Sequence, residues 1–149
     1  MISVETYDDK YQDDVITLVR AFHAEALSEY EQSFNPESVL ETIVRLKPDN
    51  AGYAYLLVID GRCRGIIAGI GVKSMTAQTM MYQELIWYVE REYRRFGVDL
   101  LKKAEIRLKD LGFGSMIMAV LENSKTEKIK RLYDRLGYKV FETHFIKAL

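Results

Sequence analysis

Cysteine, histidine and proline are scarce in this chain. Cys63 is the only cysteine, and the two histidines, His23 and His144, lie far apart with no thiol pair between them. An internal disulfide is therefore excluded, and no Cys/His cluster has the spacing of a zinc site, so we expect a protein without a bound metal. The only two prolines, Pro36 and Pro48, leave little scope for a disordered linker.

Long apolar runs are also lacking. No run approaches the roughly 18 residues that a membrane-spanning helix needs. The first ten residues, MISVETYDDK, reach polar side chains at once and lack the basic and apolar regions of a signal peptide. We therefore expect no membrane association and a cytoplasmic location. The 149 residues, 48% of them hydrophobic, are enough for one domain spanning residues 1–149.

Charge of one sign does not dominate the chain. The formal net charge is −1, which gives the protein no overall field suited to nucleic acid. The distribution is nevertheless uneven, because residues 1–90 contain 7 Lys/Arg and 14 Asp/Glu, whereas residues 91–135 contain 12 and 7. This pattern fits two ordinary solvated faces, or a division between a cationic ligand and a polyanionic one.

Hydrophobic periodicity predicts the secondary structure. Apolar side chains alternate with period two in the predicted strands and recur every three or four residues in the predicted helices. In chain order the segments are strand 2–7, helix 12–30, helix 36–46, strands 53–59, 63–72 and 80–89, helix 96–111, strand 116–121, helix 125–136 and strand 138–146. This order predicts an α/β fold with a mixed, mostly antiparallel sheet, a central β-α-β crossover and helices on both faces.

The junction between the long strand and the following helix, residues 88–101, carries the clearest chemical signal. A strand here runs through a short basic turn into a helix, so backbone N–H groups and the positive end of the helix point at one place. Such a turn can cradle a phosphate group, and the guanidinium groups of Arg94 and Arg95 can pair with phosphate oxygens. Taken alone, a basic strand-to-helix turn is more often purely structural.

These residues resemble motif A of the GNAT superfamily of N-acetyltransferases. In that family a strand leads through Tyr-Arg and a Gln/Arg-x-x-Gly-x-Gly/Ala turn to Leu-Leu on the next helix. The corresponding residues here are Val89, Tyr93, Arg94, Gly97, Leu100 and Leu101. Further on, RLYDRLGY at 131–138 is similar to the family's L-Y-E-K-L-G-F ending, and FHAE at 22–25 with FNPE at 34–37 resembles a branch of small bacterial and phage members.

The resemblance implies an enzyme that binds acetyl-CoA and transfers the acetyl group directly to an amine, without a covalent enzyme intermediate. It also implies that the end of the long strand and the basic turn bind this cosubstrate. The residues concerned are Tyr88, Val89, Arg94, Arg95, Phe96, Gly97, Val98 and Asp99. Backbone N–H groups near Tyr88 and Val89, where the strand diverges from its neighbour, would stabilise the developing oxyanion.

Transfer to an amine needs a base that takes the amine's proton and an acid that protonates the departing thiolate. Glu84 is the one ionisable side chain in the middle of the long strand, and we expect it to be the base; the alternative is a strand carboxylate without a role. Tyr133 occupies the family's general-acid position, although a tyrosine at this helical spacing is more often a core residue. His23 and Glu25 are the reserve bases and the expected substrate-binding residues.

The acidic surplus of residues 1–90 favours a small cationic amine as the acceptor. Glu25, Glu29 and Glu31 are the side chains expected to attract it. A homodimer is left open by the sequence.

Two departures from the motif favour a second hypothesis. Asp99 stands where the family has Gly or Ala, and the turn with its helix is about two residues short. The alternative is therefore a catalytically degenerate module of the same fold that binds acyl-CoA or a protein partner. A third hypothesis, a nucleic-acid or ribosome-associated module that uses residues 91–135, is disfavoured by the net charge of −1.

Overall fold

The computed structural model describes residues 1–30, 33–123 and 125–149. The backbone forms two units, Met1–Met118 and Ala119–Leu149. The expectation of one domain over the whole chain stays a prediction.

The larger unit is built on a five-stranded sheet. Its strands are β1 (Ile2–Thr6), β2 (Gly52–Ile59), β3 (Arg62–Lys73), β4 (Met80–Val89) and β5 (Ser115–Ile117). They lie in the order β1-β2-β3-β4-β5, and the first three pairs are antiparallel, whereas β4 and β5 are parallel. A parallel pair needs a crossover connection, and a helix between β4 and β5 provides it. The predicted mixed sheet and its crossover are therefore confirmed.

The described residues form four α-helices, namely α1 (Gln12–Phe22), α2 (Pro36–Arg45), α3 (Gly97–Asp110) and α4 (Thr126–Arg135). α2 begins at Pro36, whose fixed φ suits the first helical position. The side chain of Asn35 accepts hydrogen bonds from the backbone N–H groups of Glu37 (2.8 Å) and Ser38 (3.3 Å). α3 ends just before Gly112, whose φ of 94° is left-handed. Both boundaries follow the local sequence signals.

Each face of the sheet is covered by an apolar layer. On one face α1 and α2 cover alternate residues of the central strands, including Leu56, Ile66, Ala68 and Ile86. Because neighbouring strand residues point to opposite faces, Leu57 and Ile67 point to the other face, where α3 contacts β2 and β3. The buried side chains of α3 are Leu100, Leu101, Ala104 and Leu108, each at most 2% exposed. Helices on both faces, as the sequence predicts, are confirmed.

The end of the chain differs from its prediction. Residues 138–149 form neither helix nor strand, although their alternating pattern predicted a strand at 138–146. The predicted strand 116–121 is also shorter, because β5 ends at Ile117. Alternation shows which residues could form a strand, but a strand also needs a partner, and the pairing of β5 with β4 covers three positions only.

Two searches of the described ranges found nothing. Within residues 1–30, 33–123 and 125–149, no helix combines the length and apolar character needed to span a bilayer. No group of three or more His, Cys, Asp or Glu side chains in the same ranges is placed to hold a metal ion.

The α3 layer gives a direct test of the packing. Leu101→Ala should lower the free energy of unfolding by about 2–5 kcal/mol, because the side chain is 0% exposed and its removal leaves a cavity. Ile106→Ala on the same helix, 61% exposed, should change it by less than about 0.5 kcal/mol. Urea unfolding of both variants measures these values. Equal losses would show that α3 does not pack on the sheet through Leu101.

Candidate active site

The long strand β4 contains one extra residue. Across from β3, Gly69 pairs with Glu84, and the next residue, Ala68, pairs with Ile86. Leu85 is therefore the additional residue of a β-bulge, and a slip of one residue reverses the face of every side chain beyond it. Glu84 lies on the α3 face and Ile86 on the α1/α2 face. Strict period-two alternation in the sequence predicts that Glu84, Ile86 and Tyr88 share one face, and this prediction is wrong because the pattern does not reveal a bulge.

Glu84 lies beside a buried tyrosine. Tyr82 is two residues away on the α3 face, is 0% exposed, and donates a hydrogen bond from its hydroxyl to the backbone carbonyl of Tyr53 (2.9 Å). Burial raises the pKa of Tyr82, and the negative charge of Glu84 adds to this effect. Glu84 itself is half-buried. Its role as a base stays a prediction, and its position is on the opposite face from α1 and α2.

The parallel pairing of β4 with β5 is short. Its register is Met81 with Ser115, Tyr82 with Met116 and Gln83 with Ile117, and the pairing ends there. From residue 84 to the end of β4, no described strand pairs with this edge. Beyond Gln83, one row of strand N–H and C=O groups of β4 therefore has no described strand beside it. The divergence expected from the resemblance stays a prediction.

The basic turn is a 3₁₀ helix, Arg91–Phe96, that leads directly into α3. The N–H of Tyr93 donates to the carbonyl of Glu90 (2.9 Å), and the N–H of Gly97 donates to the carbonyl of Arg94. The strand-turn-helix pattern predicts that the amides of this turn converge on a phosphate group. The structure corrects this expectation for Gly97, because its amide already has a backbone partner.

Arg94 is held by protein groups. Its guanidinium donates to both carboxylate oxygens of Glu25 (2.8 and 2.9 Å) and, through Nε, to the carbonyl of Val89 (3.1 Å). It also lies over the ring of Tyr88, 5.7 Å from the ring centre. Arg94, which the motif predicts to bind phosphate, therefore links the turn after α1 to the C-terminal end of β4. Arg95, by contrast, packs over the ring of Phe96 (4.8 Å) and forms no ion pair with any described residue.

Glu25 reaches Arg94 because α1 ends in a π-helical turn, His23–Leu27. Such turns are rare and are often found at functional sites. The Glu25 side chain is 24% exposed, and it also lies 3.9 Å from Arg91. Burial first and the hydrogen bond to Glu25 second raise the pKa of Tyr88. The two reserve residues His23 and Glu25 therefore lie in one turn, close to the end of β4.

A cavity of about 420 Å³ lies between the helices α1 and α2 and the sheet. His23 and Phe34 meet edge to face above it, with ring centres 5.9 Å apart. The bulge contributes Leu85 and Ile86 to the lining. Sequence reasoning missed this cavity, because apolar residues at helical spacing predict a buried face and not the space left within it.

Several sequence candidates lie elsewhere. Asp99 is exposed in the first turn of α3, and Glu29 is exposed after the π-helical turn. Glu31 lies outside the described residues. Cys63 is 2% exposed, and burial raises the pKa of its thiol to about 12. It is therefore not a thiolate nucleophile at neutral pH.

The smaller unit, Ala119–Leu149, contains Tyr133. This tyrosine is 8% exposed, and its hydroxyl donates to the backbone carbonyl of Ala119 (2.8 Å). Its ring lies 5.4 Å from that of Tyr138. Thr126, buried at the start of α4, donates to the carbonyls of Leu121 and Asn123 (both 2.8 Å). The general-acid role of Tyr133 stays a prediction.

Comparison with solved structures identifies the fold. A transcriptional regulator from Bacillus halodurans matches at a TM-score of 0.80, with 13% identity over 100% of both chains. An aminoglycoside acetyltransferase from an uncultured soil metagenomic sample matches at 0.77, with 16% identity over 99% of this chain and 96% of that one. A GNAT family acetyltransferase from Staphylococcus aureus matches at 0.71, with 13% identity over 99% and 98%.

The chain therefore has the GNAT acetyltransferase fold over essentially its whole length, as its motifs predicted. No protein-family model and no curated protein matches the sequence.

The Glu25–Arg94 contact can be measured by a double-mutant cycle. Combining Glu25→Gln with Arg94→Gln should reveal a coupling of about 1 kcal/mol in unfolding free energy, because one guanidinium nitrogen lies within 2.9 Å of both carboxylate oxygens and the pair is partly shielded. Glu25→Gln with Arg91→Gln is the control, since that pair is 3.9 Å apart and Arg91 is 79% exposed, so its coupling should be below about 0.3 kcal/mol. Equal couplings would contradict the geometry.

Proposed function

We propose that the protein is an acetyltransferase that uses acetyl-CoA and transfers the acetyl group to the nitrogen of an amine. The observation that carries this proposal is the end of the β4–β5 pairing at Gln83 and Ile117, which leaves the rest of this edge of β4 without a described strand partner up to the basic 3₁₀ turn. An unpaired strand edge offers backbone groups to an extended ligand. The fold agrees, because acetyltransferases are among the proteins that share it.

Gly97 supports binding of the diphosphate group at the turn. Its φ is −62°, an ordinary helical value, and a Cβ built on it would meet Val89 and Trp87 only at 3.7 and 3.8 Å, which is normal van der Waals contact. The protein itself therefore has no need of glycine at this position. A ligand that approaches the backbone closely supplies such a need.

The residues that would hold acetyl-CoA are the edge of β4 at Tyr88 and Val89 and the turn from Arg95 to Val98. Arg95 is the arginine of this turn that forms no ion pair with a described residue, and its guanidinium suits a phosphate oxygen. The carboxylate of Asp99 would repel a phosphate group bound at the same end of α3. The fit is therefore better for Arg95 than for Arg94, which is held by Glu25.

The chemistry needs two proton transfers. The acceptor nitrogen loses one proton as its bond to the acetyl carbon forms, and the thiolate gains one as the carbon–sulfur bond breaks. Glu84 and Tyr133 are proposed for these roles, and backbone N–H groups near Val89 for the oxyanion. His23 and Glu25, which lie by the α1/α2 cavity and the end of β4, are the alternative bases.

A second candidate is a module of this fold that binds acyl-CoA or a protein but does not catalyse transfer. The Arg94–Glu25 pair and the internal hydrogen bond of the Gly97 amide favour it, because both reduce what the turn offers to a phosphate. Asp99 does the same. A cytoplasmic location, a homodimer and the lack of nucleic-acid binding also stay predictions.

Gly97→Ala separates cosubstrate binding from folding. The variant should be as stable as the parent or more stable by about 0.5–1 kcal/mol, because alanine favours a helix and the site has room. Acetyl-CoA at about 100 times its Kd should stabilise the parent by about 2.7 kcal/mol, and the variant far less. Thermal melts with and without acetyl-CoA measure both effects. No stabilisation of the parent would refute the proposed function.

The catalytic roles are tested by single substitutions. Glu84→Gln and Tyr133→Phe should each lower kcat for acetyl transfer by about 10²–10⁴-fold, since each removes a proton-transfer group. Glu41→Gln, an exposed position on α2, is the control and should have full activity. Release of free thiol measures the rate. Unchanged kcat in Glu84→Gln would show that Glu84 is not the base. His23→Gln and Glu25→Gln would then test the two alternative bases.

A further inference from the structure

The cavity between α1, α2 and the sheet has an apolar lining. Its side chains include Val15, Val39, Leu46, Ala54, Ile66 and Leu85. Among the described lining residues there is no Asp, Glu, Lys or Arg. A buried ammonium group would therefore find no carboxylate within the cavity, and an isolated buried charge is costly.

The cavity is elongated across the sheet. At one end it is lined by Tyr7, which follows β1 and donates its backbone N–H to Ala54 of β2 (2.9 Å). At the other end it is lined by Leu85 and Ile86 of β4. Three strand spacings separate β1 from β4, which is about 14 Å. A ligand that fills the cavity is therefore longer than it is wide.

The β4 end of the cavity has polar neighbours. His23 lines it, and Glu25 in the same π-helical turn lies next to the end of β4 through its bonds to Arg94. The bulge turns Leu85 and Ile86 toward this face, within the part of β4 that has no β5 partner. A reacting nitrogen at this end would be close to the strand edge, while an apolar group attached to it would extend under the helices. His23 and Glu25 lie on this side of the sheet, whereas Glu84 lies on the opposite face, so Glu84 would take the proton only through water around the open edge of β4.

The opposite end of the cavity is lined by Tyr7. Its hydroxyl is buried, and Asp9 is the neighbouring side chain that interacts with it. Burial, the negative charge of Asp9 and a hydrogen bond with Asp9 raise the pKa of Tyr7 to about 12, so the hydroxyl is protonated at neutral pH. This end of the cavity is therefore lined by an uncharged phenol.

We propose that the acetyl acceptor is a primary amine attached to an elongated aliphatic or aromatic group, and that this group occupies the α1/α2 cavity. The inference rests on the proposed function and specifies its substrate class. It differs from the acceptor expected from the acidic surplus, because Glu29 is exposed and is not among the lining residues, whereas the lining is apolar. An aminoglycoside, the substrate class of one protein of this fold, would bring several charges to an apolar surface.

The experiment uses a matched pair of substitutions on α2. Val39 is 9% exposed and lines the cavity, whereas Val44 is 57% exposed and is not among its lining residues. Val39→Phe should lower kcat/KM for hexylamine and 2-phenylethylamine at least tenfold by filling the space, and Val44→Phe should leave both unchanged. In the parent, both amines should be acetylated at least tenfold more efficiently than an aminoglycoside. If Val39→Phe does not fold, Ala54→Val fills the same cavity with a smaller change.

Thermal melts distinguish a failure of the proposed function from a failure of the proposed acceptor class. Acetyl-CoA should stabilise parent, Val39→Phe and Val44→Phe equally, because the strand edge lies outside the cavity. 2-Phenylethylamine alone should stabilise the parent and Val44→Phe but not Val39→Phe. Stabilisation by the amine without any by acetyl-CoA would reject the proposed function and support the cavity's ligand class. Acetylation of the aminoglycoside as efficient as that of hexylamine, or equal kcat/KM in Val39→Phe and the parent, would overturn the inference.

Discussion

One extra residue in β4 determines the geometry of the candidate site. The bulge at Leu85 places Glu84 on the α3 face and Ile86 on the α1/α2 face, so the strand presents different chemistry to its two sides. It occurs at the position where the pairing with β5 has just ended. The same short segment therefore provides an unpaired edge and one wall of the cavity. Without the extra residue, the side chains on one side of it would reverse their faces.

The Glu25–Arg94 pair connects the turn after α1, which borders the cavity, to the end of β4. It ties the π-helical turn after α1 to the carbonyl of Val89 and the ring of Tyr88. Arg94 therefore has a structural position in this fold, and the phosphate-binding role that its place in the motif suggests stays a prediction. In the proposed function, phosphate binding would depend more on Arg95 and on the backbone near Gly97, where the fold itself makes no demand for glycine.

The sequence predicted the structural features that residues close together in the chain determine. Asn35 and Pro36 start α2, and Gly112 ends α3, because caps and turns act within a few residues. The order of the elements and the crossover followed from periodicity. The bulge at Leu85 did not, since it is defined only by the register with β3. The Glu25–Arg94 pair joins residues 69 positions apart, and residues 138–146 alternate but have no strand structure.

The central claim is that acetyl-CoA binds along the open edge of β4 with its diphosphate group at the turn before α3. Backbone amide NMR of the ¹⁵N-labelled protein, titrated with acetyl-CoA, tests this claim residue by residue. If acetyl-CoA binds there, the largest shifts should occur at Tyr88, Val89 and residues 95–98, and the amide signals of α2 should move little. Shifts centred on the α1/α2 cavity, or no shifts at saturating acetyl-CoA, would contradict it.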